Sequence, residues 1–197
     1  MPLQRYLGEA MEDWRRDGKT RRLWQGDPSL WTGSGEGDWI GWLTIPEEEL
    51  GDLDGLQKAV AEIQTTGFKH ILLLGMGGSS LCPEVLSRTF GKLPLQAQLL
   101  VLDSTDPAQI RRIAERLDFR KTLFIISSKS GTTLEPNILE EFFYEETKKA
   151  VGPDLTGSRF VAITDPDSPL QRFAEVQHFR HVFFGSPDIG GRYSALS

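Results

Sequence analysis

Apolar positions along the chain gather into five short continuous runs, at residues 70–74, 98–102, 122–126, 160–164 and 181–184. A strand with one solvated face alternates apolar and polar residues. Unbroken runs of Leu, Ile, Val and Phe predict strands buried on both faces, which is the habit of a parallel sheet. Between and before them lie stretches with helical spacing, at 53–65, 82–89, 107–117, 135–149 and 170–175. Strand alternating with helix predicts βαβ units, and so an α/β fold: a doubly wound three-layer αβα sandwich on a five-stranded parallel sheet.

Individual start and stop signals support the helices. Asp106-Pro107 supplies an N-cap and a first-turn proline ahead of Ile110, Ile113 and Leu117, which share one face. Leu134-Glu135-Pro136 opens a longer helix whose apolar side is Ile138, Leu139, Phe142 and Phe143, and Lys148-Lys149 complements its negative end before Gly152-Pro153. Residues 1–50 differ in character. They hold all five tryptophans, Trp14, Trp24, Trp31, Trp39 and Trp42, among glycines and charges without a clean period. The expectation is an N-terminal extension over 1–50, packed on the sheet domain of 51–197 by aromatic anchors, with 33–38 as a flexible loop.

Composition narrows the function classes. The chain has 197 residues, 39% hydrophobic and 25% charged, with a net charge of −6, which suits one globular domain with a sizeable core. An acidic balance without a Lys/Arg block argues against nucleic acid. No run approaches the roughly 20 apolar residues of a membrane span, and no targeting segment is evident, so the expected location is cytoplasmic and no membrane partner is expected. Cys82 is the one cysteine, which rules out an intrachain disulfide and a cysteine metal site. No metal or other cofactor is expected.

The chemistry concentrates at two strand-to-helix junctions. The run ending at Ile126 leads into Ser127-Ser128-Lys129-Ser130-Gly131-Thr132-Thr133, and the run ending at Leu74 leads into Gly75-Met76-Gly77-Gly78-Ser79-Ser80. In an open parallel sheet, ligands lie at the carboxyl ends of the strands, where helix N-termini point inward. Hydroxyls and free N–H groups at such a junction suit an anion, above all a phosphate. The glycines of the first junction let backbone approach a ligand. A helix N-cap accounts for one hydroxyl of the second, not for Ser128, Ser130, Thr132 and Thr133 together. A P-loop string is absent, and a dinucleotide fingerprint fails at its third glycine, where Ser80 stands. His70, His178 and His181 sit away from carboxyl-end loops, Cys82 reads as a small buried side chain, and Asp103, Asp106, Asp165 and Asp167 read as strand-end and cap residues.

Taken with Gly190-Gly191-Arg192-Tyr193-Ser194, the strings Gly75-Met76-Gly77-Gly78-Ser79 and Ser128-Lys129-Ser130-Gly131-Thr132-Thr133-Leu134-Glu135 resemble three successive signatures of the phosphoglucose isomerase family. The first two indicate the broader sugar isomerase domain superfamily, and the third narrows the match. The segment 23–32 is also similar to the isomerase part of fused transaldolase–phosphoglucose isomerase proteins.

The resemblance implies a sugar-isomerase-type fold and a small-molecule sugar phosphate as partner. Ser128, Ser130, Thr132 and Thr133 would donate to the phosphate, with Lys129 helping through its backbone or charge. Gly78 and Ser79 would meet the sugar end, Glu135 would be a supporting acid, and Arg192 would be the catalytic residue that stabilises an enediolate. The implied reaction interconverts glucose 6-phosphate and fructose 6-phosphate in glycolysis and gluconeogenesis, without metal or nucleotide, in a full-length homodimer. The family's catalytic glutamate, histidine and lysine have no match before Ser197. The expectation is therefore a sugar-phosphate-binding part without the C-terminal half, inactive alone. A non-catalytic sugar-phosphate sensor and the isomerase domain of an amidotransferase are the alternatives.

Overall fold

The computed structural model of the chain describes residues 3–51, 53–91 and 97–191. Helices α1 (Leu3–Arg16) and α2 (Lys19–Trp24) are followed by three short 3₁₀ turns, then α3 (Ile45–Gly51) and α4 (Leu53–Thr66). The sheet domain continues through β1 (His70–Gly75), α5 (Gly78–Phe90), β2 (Gln98–Leu102), α6 (Pro107–Ala114), β3 (Thr122–Ser127), α7 (Leu134–Val151), α8 (Pro153–Thr156), β4 (Phe160–Thr164), α9 (Pro169–Val176) and β5 (His181–Phe184).

All five strands are parallel, in the order β2-β1-β3-β4-β5. The doubly wound expectation holds, and for the reason the apolar runs suggested. Leu72, Leu74, Leu102, Phe124, Ile126, Phe160 and Ala162 point to one face, where α6, α7 and α9 cover them with Ile110, Leu139, Phe143, Leu170 and Ala174. Phe124 and Phe160 stack at 4.9 Å between centroids, and neither exposes any surface. Burying such a side chain is worth roughly 1.5–3 kcal/mol, so this face carries much of the stability. Leu123 and Val161 face the other way, toward Ile63 of α4 and Phe68 just after it. That side is covered more thinly, leaving a groove of about 1000 Å³ between α4 and the sheet.

Some expectations shift at their edges. The helix expected over 82–89 starts at Gly78, directly after the glycine turn, and the one expected to 117 stops at Ala114, with Leu117 still packed against the core. Asp106 caps α6 as expected, accepting the Gln109 N–H at 2.9 Å. The 33–38 stretch contains the start of a 3₁₀ turn at Glu36–Trp39, where Glu36 accepts the N–H groups of Thr32 and Ser34 at 3.0 and 2.7 Å.

The five tryptophans each expose between 40% and 67% of their surface. One contact of residues 1–50 with the sheet domain is at Gly41, whose N–H donates to the Asp188 carbonyl at 3.2 Å. A side chain at Gly41 would collide with the Asp188 carboxylate. Leu43 and Ile45 beside it are buried.

Candidate functional site

The strand order reverses direction between β1 and β3, since β2 lies to one side of β1 and β4 and β5 lie beyond β3. At such a switch point the two loops leave in opposite directions and open a crevice at the carboxyl ends. Gly75 and Ser127, the last residues of β1 and β3, are register partners there. The two loops singled out in the sequence are therefore neighbours in space. Packing explains the glycine. A Cβ on Gly75 would lie 3.1 Å from both the Ser127 carbonyl oxygen and the Ser79 Cβ.

Gly77, at φ 56°, turns the chain from β1 into α5, which begins at Gly78. Gly78, Ser79 and Cys82 line a cavity of about 120 Å³ together with Ser127, Lys129 and Asp165. Ser80 is buried, and its hydroxyl donates to the Gly77 carbonyl at 3.2 Å, so it braces the turn.

The second loop runs from Ser128 to Thr133. Ser128 donates its N–H to the Ile163 carbonyl at 3.0 Å, and its hydroxyl is buried with no hydrogen-bond partner among the described residues. Ser130 and Thr132 share a hydroxyl–hydroxyl bond at 2.8 Å, and the Ser130 hydroxyl accepts the Thr132 N–H at 3.2 Å. Gly131 takes φ 64° and presses on the start of α9, where a Cβ would stand 2.9 Å from the Leu170 nitrogen. Thr133 is the N-cap of the 18-residue α7, yet among the described residues its side chain makes no capping bond. The first-turn N–H groups of a helix have no partners inside it, so here the positive end of a long dipole faces exposed hydroxyls. Glu135 is the one acidic residue of that first turn.

Lys129 is placed differently from the hydroxyls. Its ammonium donates to Asp165 at 2.7 Å and to the carbonyl of Ser186 after β5. Its own carbonyl accepts the Asp165 N–H at 2.8 Å and the Thr164 hydroxyl at 3.1 Å. The Thr164 and Ser168 hydroxyls are hydrogen-bonded to each other at 2.8 Å, and Ser168 caps α9 by accepting the Gln171 N–H at 3.0 Å. The hydroxyl loop is thus tied to the carboxyl ends of β4 and β5. Thr164, Asp165, Ser168 and Ser186 were missed as site-building residues; only the position of Asp165 just after a strand hinted at one of them.

Arg192 lies outside the described residues. Gly191 precedes it, and a Cβ on Gly191 would be 3.7 Å from Lys129 Cδ, so the chain comes close to the loop at that point. His70 and His181 begin β1 and β5, at the end of the sheet away from the crevice. Among the described residues no group of three His, Cys, Asp or Glu side chains could hold a metal, and no helix is long and apolar enough to cross a membrane.

A sequence model of the phosphoglucose isomerase family matches residues 59–197. A glucose-6-phosphate isomerase of Thermus thermophilus is 34% identical over 164 residues, covering 82% of this chain and 37% of that protein. The Chlamydia muridarum enzyme is 32% identical over 134 residues, covering 66% of this chain and 24% of the enzyme. Among solved structures, a hypothetical protein from Thermus thermophilus superposes with a TM-score of 0.74 at 31% identity, covering 98% of this chain and 45% of that one. A glucose-6-phosphate isomerase from Chlamydia trachomatis gives 0.64 at 28% identity, covering 78% of this chain and 28% of that one. The chain spans between 24% and 37% of the length of these two curated relatives.

Proposed function

The chain belongs to the phosphoglucose isomerase family, and on that premise we propose that the crevice between β1 and β3 holds a hexose 6-phosphate. The phosphate sits in the loop from Ser128 to Thr133, and the sugar extends toward Gly78 and Ser79. The protein to which these residues belong is an aldose–ketose isomerase acting on glucose 6-phosphate and fructose 6-phosphate through an enediolate.

One observation carries the reading. Among the described residues Thr133 occupies the cap position of α7 without a side-chain capping bond, so its hydroxyl and the N–H groups of Leu134 and Glu135 remain available to one anion. The exposed hydroxyls of Ser130 and Thr132 stand beside it, already oriented by their mutual bond. The buried Ser128 hydroxyl, unpartnered among the described residues, is a second group that a phosphate oxygen can satisfy.

Lys129 has the role of a brace in this reading. With its ammonium held by Asp165, it contributes to phosphate binding by fixing the loop. Glu135 acts as a supporting acid at the rim, and Arg192 stabilises the developing enediolate charge. The work assigned to these residues is grip and orientation, and proton transfer between C1 and C2 is assigned to none of the described ones.

Calorimetric titration with fructose 6-phosphate, beside an isomerase assay on this chain and on the full-length gene product, tests the proposal. Phosphate-dependent binding with hexose-phosphate isomerisation by the full-length product is the expected result. Binding without isomerisation would favour the sensor alternative, and no binding would overturn the site.

A further inference from the structure

A cleft of about 600 Å³ runs between α7 and α9 and reaches Gly131. Its unusual residue is Glu140. This side chain lines the cleft while exposing only 8% of its surface, and it has neither a hydrogen bond nor an ion pair among the described residues. A carboxylate with so little access to water is costly unless something pairs with it.

Among the described residues the surroundings do not supply that partner. On α7 itself, Glu141 adds like charge, and Lys148, which also lines the cleft, is already paired with Glu145 at 3.0 Å. From α9 and just beyond come Leu170, Phe173 and Gln177, none of them charged. Gln177 accepts the Tyr144 hydroxyl at 2.6 Å, which leaves the Tyr144 ring fixed beside Phe173 at 5.6 Å and 74° between planes. Burial, and then the nearby Glu141, push the Glu140 carboxyl up to about 7.

A mostly buried carboxylate in a cleft also lined by Tyr144 and the partly exposed Phe173 suits an organic cation. The carboxylate pairs with the charge while the accessible aromatic surface takes up its apolar part. An inorganic cation would need several converging oxygens, whereas Tyr144 and Phe173 offer rings. The volume is in the range of small-molecule sites. We infer that the cleft between α7 and α9 is a binding site for a small organic cation, an ammonium or guanidinium held by Glu140 against Tyr144 and Phe173.

The test is a titration followed by amide NMR, using methylguanidinium as probe and the isosteric neutral N-methylurea as control. Methylguanidinium should shift the signals of Glu140, Tyr144 and the Gln177 side-chain amide, and N-methylurea should not. Because the carboxyl titrates at about 7, affinity for the cation should rise about tenfold from pH 6 to pH 8. Glu140→Gln should abolish that rise and weaken binding at pH 8 about tenfold. Equal binding of both probes, a pH-independent affinity of the unaltered chain, or unchanged binding by Glu140→Gln would each overturn the inference. The pH series needs no variant, so the outcome does not depend on how the substitution folds.

Discussion

Lys129 and Asp165 form an ion pair at 2.7 Å that joins the loop after β3 to the carboxyl end of β4. With 17% and 26% of their side chains exposed, the pair is mostly shielded from water. Removing one partner leaves the other desolvated. Asp165→Asn should therefore lower stability by roughly 1–3 kcal/mol, less than for a fully buried pair. Urea denaturation measures this, and an unchanged midpoint would show that the brace does not hold the loop.

Gly131 is the point at which the loop can tolerate no side chain. Its φ is 64°, and an added Cβ would stand 2.9 Å from the Leu170 nitrogen. Gly131→Ala should cost about 1–3 kcal/mol and displace the hydroxyls around it. Thermal unfolding should show the loss, and phosphate affinity should fall with it. A neutral substitution would mean that the loop and α9 are not in contact.

Thr133 separates capping from ligand binding. Since its side chain makes no capping bond among the described residues, Thr133→Ala should change stability by less than about 0.5 kcal/mol, below the usual cost of losing a cap. Affinity for fructose 6-phosphate should nevertheless drop about tenfold, and further when Ser130→Ala is added. Large destabilisation with unaltered affinity would return Thr133 to a purely structural role.

Glu140 gives the fold a pH dependence of definite sign. Its carboxyl is pushed up from an ordinary 4.5 to about 7 by burial and by Glu141. The folded chain thus holds a proton that the unfolded chain has lost between those values, and stability falls as pH rises through that window. Glu140→Gln should leave stability at pH 4 nearly unchanged and raise it by roughly 3 kcal/mol at pH 8. Denaturation at the two pH values checks this, and an equal effect at both would contradict it.

All five strands were legible as continuous apolar runs: the central β1, β3 and β4 are largely buried, while the edge strands β2 and β5 are only partly so. β2, β4 and β5 match the expected limits, while β1 and β3 extend one residue further, to Gly75 and Ser127. The two loops were legible too, as glycines and hydroxyls directly after strands. That they adjoin followed from the topology, which reverses between β1 and β3. The brace was not legible. Lys129 meets Asp165 across 36 residues and Ser186 across 57, and no local pattern encodes such pairings. The Gly41 contact was not legible for a related reason: its N–H meets the Asp188 carbonyl far along the chain, and no local pattern marks such a pairing. Glu140 carries no local signal of burial, and only the packing of α7 against α9 shows it buried.

The phosphate site proposed at the loop from Ser128 to Thr133 is tested by an amide NMR titration of the chain with fructose 6-phosphate and, separately, with fructose. The phosphorylated sugar should shift the amides of residues 128–135 and 77–79, and fructose should leave those of 128–135 in place. Shifts confined to other parts of the chain, or equal shifts with both sugars, would contradict it.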